Sequence, residues 1–323
     1  MAGSTPVSLT AEPQTSGAAV VASGAAARPK ARFSPAREAL RRFRRHRLAM
    51  VSSVVLSVIV VAVLLGPLVW RVPINEIDFA AKLEGPSWAH PFGTDDLGQD
   101  VLARLLYGGR VSLAVGLCAM LVAAVVGVFV GAIAGMSRGA VDAFLMWLAD
   151  LFLSLPALPL LLLIIYMFRE SLKSVLGPEG GVFVMIVAVI GGLRWMQVAR
   201  LVRAQILSIR EKEFIEAARM TGASDWRIIR SHILPHLVGP IIVFATLVVA
   251  QNILAEAGLS FLGLGIPQPT ASWGNLLSDS VQFYTTKPLL MLWPGLAVLL
   301  ATLAFNLLGD GLRDAFDPRS SLR

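Results

Sequence analysis

The chain has little charge, almost no cysteine and few histidines. Asp, Glu, Lys and Arg make up 15% of its 323 residues, against about 25% in an ordinary soluble domain. The single cysteine, Cys118, excludes a framework of disulfides within the chain, and four histidines disfavour a structural zinc site. With 56% hydrophobic residues and a mean hydropathy of +0.71, the composition excludes a soluble globule, a disordered chain and a collagen. It predicts a polytopic membrane protein.

Sequence signatures of nucleotide and metal chemistry are also missing. None of the five lysines follows a glycine, so the chain has no Gly-Lys-Ser/Thr phosphate-binding loop. His232 and His236 have metal-ligand spacing, but Pro235 lies between them and no third ligand is near. We therefore expect no catalytic residue, no metal site and no cofactor in this chain.

Six stretches are long enough, or nearly long enough, to cross a membrane as helices. About 20 apolar residues cross roughly 30 Å of hydrocarbon at a rise of about 1.5 Å each. The stretches are residues 48–70, 111–136, 151–168, 181–199, 237–255 and 289–308. The fourth contains Arg194, which we expect to extend its guanidinium to the interface while the helix continues. Pro156 and Pro159 predict a kink or a break in the third.

Three glycines and two acids stand out within these stretches. Gly127, Gly131 and Gly135 are spaced four apart, a pattern that predicts close packing between helices. Asp150 precedes the third stretch, and Glu256 lies near the outer end of the fifth. We expect both acids at membrane interfaces. The alternative is an intramembrane role for Asp150 and a cavity lined by Glu256.

Positive charge is distributed unevenly about the stretches. With the N-terminus inside, 21 of the 28 Lys and Arg residues fall on the cytoplasmic side. This bias predicts a multi-pass protein with both termini in the cytoplasm. The net charge of +7 therefore indicates topology. A nucleic-acid partner is not expected, because the basic residues do not gather in one patch with interleaved aromatics.

The N-terminal part of the chain divides into three segments. Residues 1–33, rich in Ala, Gly, Ser, Thr and Pro, predict a disordered cytoplasmic tail. Residues 34–47 predict a basic cytoplasmic helix that is attracted to anionic lipid and opens at Pro35. Residues 48–70 form the first span.

The rest of the chain consists of an outer segment and a membrane core. Residues 71–110 predict an outer segment with an amphipathic helix that lies on the membrane. Thr94 and the acids after it mark the expected start of that helix. The core is residues 111–318, and residues 200–236 form its long cytoplasmic loop.

The long cytoplasmic loop is the most informative segment. A charged helix is expected to end near Met220, and Gly222 to supply a left-handed turn. Ser224 can then cap a second short helix that stops before Pro235. A plain solvated loop is the alternative, but it explains neither the length nor the composition. The small residues that would let another protein approach the backbone are Ala217, Ala218 and Gly222.

This loop resembles the coupling loop of permease subunits of bacterial ATP-driven (ABC) importers. Their pattern is Glu-Ala-Ala, three residues, Gly, nine residues, Ile, one residue and Leu-Pro. The residues that fall on it are Glu216, Ala217, Ala218, Gly222, Leu234 and Pro235. His232 replaces the isoleucine, as in the peptide-importing branch. Residues 90–110 and 257–274 are similar to the outer segment and the fifth-span exit of dipeptide and oligopeptide C-type permeases.

The resemblance covers about residues 35–318. It implies an all-α bundle of six transmembrane helices with the type I ABC importer permease fold, in the bacterial cytoplasmic membrane. It also implies a second, B-type permease subunit, two ATP-binding subunits and an extracytoplasmic solute-binding protein as partners, besides the lipid bilayer. Glu216 would make the charged contact to an ATPase, and Gly222 would fix the turn.

The solute is less well specified than the family. The resemblance implies peptides, with nickel chelates or glutathione as alternatives within the same family. Outside the family, the alternatives are an ATP-independent secondary transporter or channel and an assembly subunit that does not transport. The residues that bind the solute are not identified by any motif.

Overall fold

The computed structural model describes residues 35–137 and 139–316, so the tail predicted for residues 1–33 lies outside the described residues. These two ranges contain helices and no strand, and their only β-type pairing is an isolated bridge between Thr94 and Asp100. In chain order the α-helices are α1 (Pro35–Arg45), α2 (Arg47–Val69), α3 (Val101–Met136), α4 (Ala140–Ser154), α5 (Ala157–Leu176), α6 (Pro178–Gly192), α7 (Trp195–Arg210), α8 (Glu213–Met220), α9 (Asp225–Ile228), α10 (Leu234–Phe261), α11 (Trp273–Ser280) and α12 (Pro288–Phe316).

The helices agree with the all-α membrane bundle expected from the sequence. Among the described residues, five helical segments are long and apolar enough to cross a membrane, and there are six if the bent pair α4–α5 forms one span. The five are α2, α3, α6 with α7, α9 with α10, and α12. Within the predicted basic segment, α1 covers Pro35–Arg45.

The third predicted span is sharply bent. Helices α4 and α5 meet at 90°, and Pro156 is the N-cap of α5. The proline ring supplies no N–H and cannot continue a helical ladder from the preceding turn. The kink or break predicted from the prolines is therefore confirmed at Pro156.

The helix that follows the outer segment starts later than predicted. Helix α3 starts at Val101, and its N-cap is Asp100, whose carboxylate accepts a hydrogen bond from the Ala103 N–H at 2.6 Å. The Asp95 carboxylate is occupied in a turn, where it accepts bonds from the N–H groups of Leu97 and Gln99 at 2.9 and 2.8 Å. The predicted helix start near residue 94 is therefore wrong.

The residues predicted to form a surface helix belong instead to the first turns of α3, the second span. Helix α3 continues without a break across residues 110 and 111, where a boundary was expected. Ala103 and Arg104 are buried against other parts of the chain. A separate helix on the membrane surface is thus also wrong, because this turn of α3 is held inside the protein.

Helices α3 and α7 approach each other closely. A Cβ on Gly127 would lie 2.7 Å from the Trp195 carbonyl oxygen. A Cβ on Gly131 would lie 2.9 Å from Cβ of Val202. Both contacts are shorter than side chains tolerate, so only glycine permits this separation. The predicted packing role of the glycines is confirmed.

The fourth span continues past Arg194, as expected. The segment Gly180–Arg210 is long and apolar enough to form one span of 31 residues, and Arg194 is near its middle. The guanidinium donates a hydrogen bond of 2.8 Å to Oε1 of Gln251 on α10. Arg194 therefore has a polar partner on a neighbouring helix.

The α3–α7 contact leads to a stability prediction. Replacing Gly131 by Ala places a methyl group against the backbone of α7, 2.5 Å from the Ala199 carbonyl oxygen. We expect Gly131→Ala to lower the free energy of unfolding by about 1–3 kcal/mol, measured as thermal unfolding of the purified chain in detergent. Gly258→Ala is the matched control, since a Cβ there meets nothing within 4 Å. Equal stability of the two variants would contradict the packing argument.

Candidate functional site

The long loop expected on the cytoplasmic side contains a helix–turn–helix, here named the knob and comprising residues 213–228. Helix α8 ends at Met220, and Gly222 then adopts a left-handed backbone with φ of +81°. In this turn the Ala223 N–H donates to the Ala218 carbonyl at 3.0 Å, which satisfies a carbonyl at the helix end. The predicted turn at Gly222 is confirmed. The helix that precedes it is shorter than expected, because α7 ends at Arg210 and α8 starts afresh at Glu213.

The second half of the knob joins the membrane helix directly. Ser224 is the N-cap of α9 and accepts a hydrogen bond from the Arg227 N–H at 3.4 Å, as predicted. The expected stop before Pro235 is wrong. Residues 229–233 form a π-helical turn, Pro235 lies in the first turn of α10, and Asp225–Phe261 is one segment of 37 residues. Pro235 is accommodated because the wider turn precedes it, and the first turn of a helix needs no N–H there.

The knob has one buried side and one exposed side. Ile215 and Ile228 are fully buried and pack in a cluster with residues of α7 and α10. The outward residues include two large apolar side chains, Met220 at 84% and Trp226 at 68% exposure. Exposed side chains of this size and kind are typical of docking surfaces.

The structure gathers most of the predicted site residues on this knob. Glu216, Ala217 and Gly222 are exposed, and Ala218 is half-buried. Leu234 and Pro235 lie beyond the π-helical turn, at the start of α10, so they belong to the connection and not to the knob.

Two ion pairs connect α4 to α7, the helix that carries the knob. Arg203 donates hydrogen bonds from Nε and Nη2 to the two carboxylate oxygens of Asp142, at 2.5 and 2.7 Å. Arg200, about one helical turn before Arg203 on α7, pairs with Asp150. Asp150 is thus an exposed ion-pair partner. The sequence identified Asp150 as a candidate but not Arg200 as its partner, because the pairing depends on how α4 packs against α7.

Glu256 lies in a closed junction of three helices. It is fully buried, and its two carboxylate oxygens accept hydrogen bonds from Ser112 on α3 at 2.9 Å and Ser260 on α10 at 2.7 Å. The Ser112 hydroxyl in turn accepts the backbone N–H of Trp273 on α11 at 3.2 Å. Glu256 is thus enclosed inside the protein, by one hydroxyl from α3 and one from its own helix.

Three acidic side chains also lie close together beside the outer segment. Asp95, Asp96 and Asp279 line one small pocket between the outer segment and α11. Burial raises the pKa of the Asp279 carboxyl, and Arg104 opposes this shift. Burial likewise raises the pKa of Asp95, opposed by its bond from the Gln99 N–H. In the described ranges, no three His, Cys, Asp or Glu side chains are placed to hold a metal ion.

Residues 135–139 have the Gly-x-Ser-x-Gly spacing of a hydrolase nucleophile elbow. In that motif the serine lies on a sharp turn between a strand and a helix. Ser137 instead follows α3, and its backbone N–H donates to the Ile133 carbonyl at 2.9 Å, which ends the helix. The spacing therefore gives no support to hydrolase chemistry.

The Glu256 junction predicts unequal effects of two substitutions. Glu256→Leu leaves the Ser112 and Ser260 hydroxyls without their acceptor in a dry site, so we expect a loss of about 1–3 kcal/mol of stability. Glu256→Gln keeps an acceptor oxygen and should cost less. Thermal unfolding of the two variants in detergent measures the difference, and a leucine variant as stable as the glutamine variant would rule out the hydrogen-bonding role.

Comparison with protein families gives two matches along the chain. Residues 127–322 match the family described as binding-protein-dependent transport system inner membrane component. Residues 34–86 match the N-terminal TM domain of oligopeptide transport permease C. The knob and the long helices on either side of it lie within the first match.

Individual relatives agree with these families. The chain is 42% identical to a putative peptide permease protein of Brucella suis, over 89% of this chain and 92% of that protein. It is 40% identical to the oligopeptide transport system permease protein OppC of Escherichia coli K12, over 87% and 90% of the two chains. A dipeptide transport system permease protein, DppC of Alkalihalophilus pseudofirmus, is 39% identical over 88% and 90%.

A solved structure agrees at the level of the fold. A chain of the MetNI methionine ABC transporter, in inward-facing conformations, matches with a TM-score of 0.51 and 19% identity. The match covers 65% of this chain and 95% of that chain. From its sequence matches and its fold, the chain belongs to the binding-protein-dependent transport system inner membrane components, in their oligopeptide and dipeptide permease C branch.

Proposed function

We propose that this chain forms half of a translocation pathway for peptides across the bacterial cytoplasmic membrane and is driven by separate ATPase subunits. The observation that carries the proposal is the knob: an exposed helix–turn–helix with Met220 and Trp226 on its surface, built into a multi-pass permease. The peptide as solute is supported by the relatives named for oligopeptide and dipeptide transport.

The remaining components follow from the same family membership. A second, B-type permease completes the pathway, an extracytoplasmic binding protein delivers the solute, and two ATP-binding subunits hold ATP and magnesium. This chain is then a non-catalytic subunit. Each partner influences transport only by contacting one conformation of the permease better than the other.

The knob is suited to receive force from an ATPase. Its buried residues Ile215 and Ile228 fix it to the cytoplasmic ends of α7 and α10. Glu216 is exposed and offers a charge to a partner, while Gly222 holds the turn in a conformation that side chains disfavour. A push on this surface is therefore transmitted to two membrane helices at once.

An ATP-independent carrier is the second candidate. It is favoured by two ionisable side chains within membrane helices, Glu256 and Arg194, because such groups mark ion pathways in secondary transporters. Glu256, however, is enclosed by hydroxyls and fully buried. Liposomes that contain only this chain separate the two candidates, because solute movement without ATPase subunits would support the carrier.

The proposal predicts the side of the membrane on which the knob lies. In a variant with Cys118→Ala, a cysteine introduced by Ser224→Cys should react with an impermeant maleimide only in inside-out vesicles. A cysteine introduced by Trp88→Cys, at a fully exposed residue of the outer segment, should react only in intact cells. Reaction of both cysteines from the same side would overturn the topology.

The proposal also predicts that changes on the knob uncouple transport. In the complete importer reconstituted in liposomes, Glu216→Lys reverses the charge offered to the ATPase, and Gly222→Val forces a branched side chain into a left-handed turn. We expect each to reduce ATP-dependent peptide uptake and solute-stimulated ATP hydrolysis by about tenfold or more, the equivalent of at least 1.4 kcal/mol of coupling free energy.

The control for this experiment is Glu211→Lys. Glu211 is also exposed and lies between α7 and α8, outside the knob. The same charge reversal there should leave uptake within about twofold. Unchanged uptake and unchanged ATP hydrolysis in both knob variants would refute the coupling role.

A further inference from the structure

Two membrane helices are interrupted around one cavity. The 90° bend between α4 and α5 lies at Leu155 and Pro156, and the break between α6 and α7 lies at Leu193 and Arg194. A cavity of about 90 Å³ lies between these breaks. Its lining is apolar except for Arg194 and Gln197. Interrupted helices at membrane depth are found where the backbone borders a cavity or a solute site.

Arg194 lies deep in the membrane. A Cβ on Gly191 would lie 2.8 Å from Cβ of Val122, and a Cβ on Gly127 would lie 2.7 Å from the Trp195 carbonyl. Arg194 is therefore level with residues 122–127 of α3, near the middle of the uncharged stretch 111–136. An arginine at this depth is costly unless it serves the protein interior or a water-filled pathway.

The charge of Arg194 is not neutralised by the described residues. Its hydrogen-bond partner among the described residues is the neutral amide of Gln251, and no carboxylate in those ranges forms an ion pair with it. The guanidinium is half-buried and keeps most of its N–H donors available. What the site lacks is an anion.

The surface that holds these groups does not suit contact with lipid. Gln251 is exposed on α10, and an amide that faces hydrocarbon lacks hydrogen-bond partners. The amide of Gln197 likewise forms no hydrogen bond with the described part of the chain. Three polar side chains at one depth indicate a wall that faces water or solute.

We propose that Arg194, with Gln197 and Gln251, forms the part of the translocation pathway that receives the C-terminal carboxylate of a peptide. A guanidinium binds a carboxylate with paired, charge-assisted hydrogen bonds. The two amides can bond the neighbouring peptide group. The cavity has room for about three water molecules, so it fits a chain terminus and leaves the rest of the peptide in the open pathway. This inference rests on the proposed function.

The first experiment compares two probes in the complete reconstituted importer. The probes are a tripeptide with a free C-terminal carboxylate and the same tripeptide as its C-terminal amide, each at a concentration that saturates the binding protein. We expect Arg194→Gln to lower the maximal import rate of the free acid by about tenfold or more and that of the amide by less than about twofold. Arg194→Lys, which keeps the charge, should restore part of the free-acid rate.

Arg71→Gln is the matched control for loss of an arginine. Arg71 is exposed and bonds only to the Leu68 carbonyl at the end of α2, so neither rate should change. An equal loss for both probes in Arg194→Gln would overturn the inference and would assign Arg194 to a structural pair, with an acid of the second permease or a lipid phosphate. Unchanged rates for both probes would overturn it too.

A second experiment does not depend on the solute. In a Cys118→Ala background, the thiol introduced by Gln251→Cys is treated with an anionic and a cationic water-soluble methanethiosulfonate reagent. We expect both to react, and the ratio of the anionic to the cationic rate to fall at least about threefold when Arg194→Gln is added. Val58→Cys, on an exposed apolar face of α2, should react with neither.

The two experiments fail in different ways. A wild-type importer that moves neither tripeptide would contradict the proposed function, while a charge-dependent rate ratio at Gln251→Cys would still support an anion-receiving wall. If Gln251→Cys does not react, or if the ratio of the two rates is the same with and without Arg194→Gln, the inference of an anion-receiving wall is overturned even if peptides are transported.

Discussion

The close contact between α3 and α7 is the constraint on which the arrangement depends. At Gly127 and Gly131 a single added Cβ would collide with the backbone or a side chain of α7. Because lipid tails are as apolar as leucine, tight packing of this kind is a main source of helix association in membranes. The contact fixes α7, and α7 in turn places Arg194 at one of its ends and the knob at the other.

Polar interactions then complete what apolar packing begins. The ion pair between Asp142 and Arg203 attaches α4 to α7, and the junction at Glu256 joins α3, α10 and α11 near the outer end. Hydrocarbon offers no competing hydrogen bonds, so each partner remains with its neighbour.

The sequence was sufficient where local chemistry decides the structure. The turn at Gly222, the cap at Ser224 and the break near Pro156 were predicted from single residues, and each is present. It was insufficient where a distant contact decides. The depth of Arg194 depends on Gln251, 57 residues away, and the burial of Glu256 depends on Ser112, 144 residues away.

Pro235 is a residue at which the local signal in the sequence was misleading. A proline usually marks the end of a helix, yet the π-helical turn at 229–233 absorbs the misfit, and Asp225–Phe261 continues as 37 residues. At a rise of about 1.5 Å per residue this rod is about 55 Å long. One end is α9 and the other adjoins the Glu256 junction. Tilting such a rod by about 5° displaces its far tip by on the order of 5 Å, so a small rotation at α9 becomes a movement of several ångströms beside the Glu256 junction.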